Sequence, residues 1–264
     1  MIDMIRIHYI RVIYPILLTV VLFVACTRDE LTDGTDTLPE SVYPLEISSV
    51  TLSAEIGSLP WGADTLQARI SETDDRDGSK WDGNEVITVQ LGDNQTTTYK
   101  VVNADGMLKL TGDWLYWAKR TDKVTAWYPA NGEIRLDNQQ DGNLVYVLQA
   151  VVPDASCDAP VTLNFFHQLA KIRVKLEGEK AGDVEKVKIE SYTSCTNSDG
   201  TVSTDEASTG EITMYKTSYN NTDCWEANVV PGKGITRFKV NSGDWVDLST
   251  EVMPEKGGDT RDNH

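Results

Sequence analysis

Histidine and cysteine are scarce: His8, His167 and His264, with Cys26, Cys157, Cys195 and Cys224, are all that 264 residues contain. No C-x-x-C pair occurs and no histidine lies at ligand spacing from a cysteine, which argues against a zinc site. There is no G-x-S-x-G turn for a serine nucleophile. Pro231-Gly232-Lys233-Gly234 reads as a turn, because it lacks the spacing of a phosphate-cradling loop. No apolar run reaches the roughly 20 residues of a membrane-crossing helix. No 3.6-residue apolar period persists over a helix length, and there is no heptad, solenoid period or low-complexity tract. Basic residues are in deficit, 24 Lys and Arg against 41 Asp and Glu, for a net charge of −17. Such a balance repels phosphate backbones and argues against nucleic acid as a partner.

What the chain does have is two-residue alternation, clearest from Val161 to Leu176. Val161, Leu163, Phe165 and Leu169 sit in one phase with His167. After Ala170 the apolar set moves to Ile172, Val174 and Leu176, and Lys171, Arg173 and Lys175 take the other face. A shift of one residue flips every later side chain, so this stretch needs a β-bulge or a break where the chain changes sheets. Further strands are expected over 45–56 (one or two), 85–91, 97–102, 107–111, 123–128 (ending at Pro129), 144–151, 184–192, 210–215, 224–230, 235–240 and 245–248. Turns rich in Gly, Asn and Asp separate them. The fold class is all-β, organised as two β-sandwich domains in tandem over residues 45–178 and 179–264.

The front end sets the compartment. Arg6 and Arg11 precede an apolar stretch, Val12 to Ala25, so residues 1–25 read as a secretory signal peptide. The segment closes on Val24-Ala25-Cys26, which resembles a bacterial lipobox, with Cys26 acylated after cleavage. One acyl chain, at ~0.8 kcal/mol per buried methylene, binds a bilayer only marginally, whereas several hold firmly. Thr27-Arg28-Asp29-Glu30 resembles the acidic signal that sends such lipoproteins to the outer face of the outer membrane. Residues 26–44 read as a lipidated, polar and flexible tether.

Several residues invite a chemical role and are weighed against a plainer one. His167 has no nucleophile at hand, and its phase with Phe165 and Leu169 points to a packed histidine. Thr73-Asp74-Asp75-Arg76-Asp77-Gly78 comes near a calcium loop. However, Thr73 stands at the first ligand position, Asn84 at the place of the bidentate glutamate, and Arg76 and Lys80 add positive charge; a solvated loop is the alternative. Trp114, Tyr116, Trp117, Trp127 and Tyr128 form either a sugar-stacking platform or strand packing. With Cys26 acylated, three cysteines remain, enough for one disulfide or for three small buried hydrophobes. No catalytic residue, cofactor or metal is expected.

Three blocks carry a family resemblance. Phe165, His167, Ala170, Lys171, Ile172 and Val174 resemble the F-x-H-x-x-A-K-(I/L)-x-V motif of the fimbrillin family, surface lipoproteins that build and anchor type V pili. Lys80 to Ile87, around Trp81, resembles the W-x-x-G-D-x-(I/V) segment, with Asn84-Glu85 in place of Asp-x. Val124 to Ala130, with Trp127, Tyr128 and Pro129, resembles the (Y/W)YP strand end. The blocks occur in the family's order.

The resemblance implies two stacked transthyretin-like domains and a non-enzymatic role as a structural, anchoring or accessory pilus subunit in fimbrial assembly and cell adhesion. It implies partnership with other pilus subunits by β-strand donation, attachment to the outer membrane through lipid such as palmitate, and a host or bacterial surface ligand. By the same resemblance Arg69, with Arg76 as a weaker site, is where a protease would cut to free an early strand. After Leu248 the chain departs from the family pattern. Pro254-Glu255-Lys256-Gly257-Gly258 runs into a polar tail without alternating apolar residues, so the second domain is expected to lack its last strand and keep an open acceptor edge. The rival reading is a glycan-binding lipoprotein of a nutrient-uptake system.

Overall fold

The alternation over 161–176 becomes two strands rather than one, and the phase shift falls where they part. The structure, a computed structural model, describes residues 37–53, 71–72, 79–104, 107–140, 144–219, 222–256 and 259–260. Cys26, Arg69 and the 73–78 loop lie outside them.

The first half comprises β1 (Ile47–Ser53), β2 (Ser71–Glu72), β3 (Ser79–Lys80), β4 (Val86–Leu91), β5 (Gln95–Ala104), β6 (Met107–Gly112), β7 (Thr121–Tyr128), β8 (Gly132–Arg135), β9 (Leu148–Ser156) and β10 (Val161–His167). The second comprises β11 (Ala170–Lys175), β12 (Val187–Tyr192), β13 (Ser194–Ser198), β14 (Thr201–Ser203), β15 (Thr209–Thr213), β16 (Tyr215–Tyr219), β17 (Thr222–Val229), β18 (Ile235–Val240), β19 (Trp245–Val252) and β20 (Asp259–Thr260). Two 3-10 turns, Ala181–Asp183 and Glu206–Ser208, are the helical segments among the described residues. The fold is all-β, and no helix of the described residues is long and apolar enough to cross a membrane.

Seven strands form one sheet in the order β1-β10-β9-β7-β4-β5-β6. Its pairs are antiparallel except the first: β1 runs parallel to β10, from Ile47↔Val161 to Ser53↔Phe166. The sheet curls until β1 meets β6, wrapping a core that includes Ile87, Val89, Val101, Val124, Leu148, Leu163 and Phe165. At Gln168-Leu169 the chain leaves this sheet. β11 then joins a second sheet, β16-β17-β11-β20, which faces a third, β15-β12-β18-β19. Ile172, Ile189, Ile212, Trp225, Ala227 and Val229 fill the second core between them. Residues 38–264 form one unit with these two cores.

Three segments differ from what alternation alone suggested, and each has a physical reason. β9 starts at Leu148 rather than 144 and runs through Pro153. That proline sits where the β7–β9 register slips between Asp122 and Val124, a bulge that tolerates its missing N–H. Ile134 and Leu136, with Val147, pack into the second core, and β8 pairs with β13 of the second half. Residues 38–46, placed in the tether as far as 44, lie against the 115–118 loop. There Leu38 N donates to Ala118 O, Leu45 N to Leu115 O, and Trp117 N to Tyr43 O, each at 2.7–2.8 Å. Burying Leu45 drives that docking, at roughly 2 kcal/mol for a leucine side chain.

Candidate assembly site

The three sequence blocks converge in space. Trp81 is buried between Phe165 and Tyr128, its ring edge-on to both, with centroids 5.2 Å and 6.2 Å away. Edge-to-face pairs of this kind add ~1 kcal/mol beyond the area they bury. The turn after Trp81 is held by Glu85, whose carboxylate accepts the backbone N–H groups of Asp82, Gly83 and Asn84 at 2.7, 2.8 and 3.0 Å. Glu85, at the variable position beside the Asn84 that departs from the motif, thus supplies the carboxylate that satisfies the turn.

Trp127 points the other way, out of the seven-stranded sheet, yet is only 3% exposed. The β13–β14 hairpin covers it. Gly200, at φ +82°, lies so close that a Cβ would stand 2.6 Å from the Gln149 side chain and 3.0 Å from Trp127 Cβ. Asn197 locks the hairpin down: its Nδ2 donates to Pro129 O at 2.8 Å, and its Oδ1 accepts Gly200 N at 3.0 Å. Asn131 and Asp199 add a reciprocal pair, Asn131 Nδ2 to Asp199 Oδ1 and Asp199 N to Asn131 Oδ1. A second clasp joins the halves through two buried amides. Gln139 Nε2 donates to Asn228 O, Gln139 Oε1 accepts Asn228 N, and Asn228 Nδ2 donates to Val145 O. Sequence reasoning named none of these five amide and acid residues. The Asp199-Gly200 pair between two strands was the available signal, since that dipeptide favours a tight hairpin turn.

His167 is half-buried beside Tyr146, with ring centroids 5.8 Å apart. Desolvation, and then the charge of Lys171, pulls its pKa down to about 4. The imidazole is therefore neutral at ordinary pH and far from the value of a working general base. Ala170 is buried in the second core, while Lys171 stands across from Asn228 on the outer face. Of the aromatic cluster, Trp117 is buried and Tyr116 half-buried, and Trp114 alone of that group is largely exposed, at 60%. No ring pair is offered for stacking there. Cys157, Cys195 and Cys224 are free thiols, the last two buried.

The second core is closed on one side and open on the other. Towards β12, β15 and β17, Ile189, Ile212, Trp225 and Ala227 are sealed. Towards β11, β18 and β19, the side chains Val174, Leu176, Phe238, Val240, Leu248 and Val252 remain only half-buried. The eight-residue β19 lies at the edge of one sheet, and among the described residues the facing sheet ends on the two-residue β20. Its opposite, β20, covers β11 only at Lys171↔Asp259 and Ile172↔Thr260. Among the described residues, Arg173 to Lys175 have no strand neighbour on that rim.

Residues 73–253 match the sequence model of the fimbrillin-like family. The chain belongs to that family. Similar solved structures include a candidate cell adhesion protein of Bacteroides ovatus, 12% identical, with a TM-score of 0.52 over 81% of this chain and 88% of that one, a likeness of fold. A candidate cell adhesion protein of Bacteroides uniformis is 17% identical, with a TM-score of 0.46 over 61% of this chain and 75% of its own. The fimbrial anchor protein Mfa2 of Porphyromonas gingivalis is 11% identical, with a TM-score of 0.33 over 81% and 82%. No curated protein sequence matches. In this fimbrillin-like chain the motif residues act as internal packing and as part of the joint between the two halves.

Proposed function

We propose that this fimbrillin-like protein is a lipid-anchored pilus subunit of the outer cell surface, acting in fimbrial assembly and adhesion by exchanging β-strands with other subunits. The observation that carries the reading is the open side of the second core. A rim with no strand neighbour among the described residues over 173–175 offers backbone groups to a strand, and half-buried side chains beneath it offer an apolar floor; an incoming extended segment engages both. The two cores support a tandem two-domain organisation, with β8 and β11 of the 45–178 segment contributing to the second. β1 supports the donor side of the mechanism. It is held at a rim by parallel pairing and by Val50, so a cut at Arg69, beyond its C-terminal end, would detach it and bare β10. Cys26, carrying the acyl chains, holds the subunit to the membrane.

The test is assembly itself. Purified protein is expected to form ladders that resist mild denaturant, and Val174→Lys with Val240→Lys is expected to abolish them while leaving the circular dichroism of the monomer unchanged. Ladders that persist in the double variant would defeat the open-core reading. Palmitate incorporation lost in Cys26→Ser and retained in Cys157→Ser would establish the anchor.

A further inference from the structure

The folded unit opens at Leu38, beside an aromatic segment that it leaves uncovered. Leu38 N donates to Ala118 O at 2.8 Å, and four residues back along that segment stands Trp114, 60% exposed. Trp114 and Tyr116, two apart on extended backbone, share the face opposite the buried Leu115 and Trp117. Pro44 stands across from Tyr116 in an antiparallel bridge, and Val42, 56% exposed, lies in the turn just before it. The segment is held from its other side as well. Gln95 Nε2 donates to Tyr116 O at 2.8 Å, and Tyr116 N donates to Gln95 Oε1 at 3.2 Å. A pinned backbone therefore presents an exposed indole. Lys119 and Arg120 follow directly, with side chains 59% and 47% exposed; their ion pairs with Asp122 and Asp158, both at 3.8 Å, are weak in water.

We infer that this ribbon is a membrane-contact surface: Trp114, with Tyr116, Pro44 and Val42, rests in the headgroup region of the bilayer that holds Cys26. The inference rests on the lipid-anchor reading above and says which face of the anchored body meets the lipid. Indole and phenol rings, apolar with one polar edge, favour the boundary between hydrocarbon and water, and neighbouring Lys and Arg side chains reach the phosphates. Leu38 is twelve residues on from Cys26, so the covalent reach from lipid to ribbon is at most ~43 Å. On such a tether the contact is intramolecular, at an effective concentration on the order of millimolar, and little intrinsic affinity suffices. A protein partner fits less well, because a stable protein interface buries ~1,600 Å² in total, far more than one exposed ring and its neighbours offer. Glu40, Glu46 and Asp113 are exposed around the ribbon, and the whole chain carries −17. The contact is thus aromatic and apolar rather than basic, and suits zwitterionic lipid, since an anionic surface would repel the body.

The experiment uses the full chain purified from membranes of expressing cells, with acylation of Cys26 read by mass spectrometry. It is placed in phosphatidylcholine vesicles whose acyl chains are brominated close to the headgroup. The readout is the Trp114 component, taken as the difference in emission between the wild type and Trp114→Phe. On vesicles this component is expected to shift to the blue, to be quenched by bromine, and to lose its quenching by aqueous acrylamide. In the unacylated Cys26→Ser chain with the same vesicles it is expected to stay open to acrylamide. An acylated chain whose Trp114 remains open to acrylamide and untouched by bromine would overturn the contact surface while the anchor stands. Shielding from acrylamide without bromine quenching would overturn it too, and give the face to a second protein copy. A chain with no acyl group at Cys26 would bring down the anchor and the contact surface together.

Discussion

The two cores are built from the same strand chemistry but closed differently. In the first, seven strands curl until β1 meets β6, and Phe165, Leu163, Ile87 and Val89 are fully buried. In the second, two four-stranded sheets face each other, and six apolar side chains along β11, β18, β19 and Leu176 are half-buried on the side where, among the described residues, β20 pairs with β11 at two positions. A parallel strand lies at a rim of each core, seven residues long in the first and, among the described residues, two residues long in the second.

The largest expected effect breaks the sealed core. Phe165→Ala removes the ring that packs on Trp81 and should cost about 3–5 kcal/mol in urea unfolding. Val174→Ala, on the open side of the second core, should cost less than about 1.5 kcal/mol, since surrounding side chains and water already reach it. Equal losses would show that the two cores are equally closed.

Between them stands His167. Its native pKa of about 4 lies below the ordinary 6.5, so between those values the unfolded chain takes up a proton that the native one refuses. Stability should therefore fall as pH drops from about 6.5 to about 4 and show no further histidine effect below that, for a total of up to about 3 kcal/mol. Thermal melts of the wild type and of His167→Gln across this window isolate the effect from the carboxylates. Parallel pH curves for the two would refute it.

An effect smaller than the loss of Phe165 concerns what joins the cores. Asn197→Ala leaves Pro129 O and Gly200 N without their side-chain partner and should cost about 1–3 kcal/mol. It should also separate the transitions of the two halves, seen as non-coincident fluorescence and hydrogen-exchange midpoints. A single coincident transition at unchanged midpoint would show that the hairpin merely rests on Trp127.

Local pattern made much of this legible. The phase change at Leu169-Ala170 located the passage between sheets, and most strands fell within a few residues of their alternating runs. What escaped depended on distance. Ile134 and Leu136 look like any short apolar run, and nothing in their neighbourhood says that they face a core assembled mainly from residues after Leu169. The Asn197 and Gln139 side chains act on carbonyls many tens of residues away, which no local spacing encodes. Missing alternation after Leu248 suggested no further strand, yet β19 runs to Val252 and β20 pairs with β11 at Asp259 and Thr260. That parallel pairing at the edge of β11 required the topology.

The parallel pairing of β1 with β10 has a mechanical consequence. Tension applied at the amino-terminal end runs along the strand axis, so the rungs from Ile47↔Val161 to Ser53↔Phe166 are loaded in shear and together, rather than peeled one after another. A subunit tugged from that end resists as a lap joint does, and yields late.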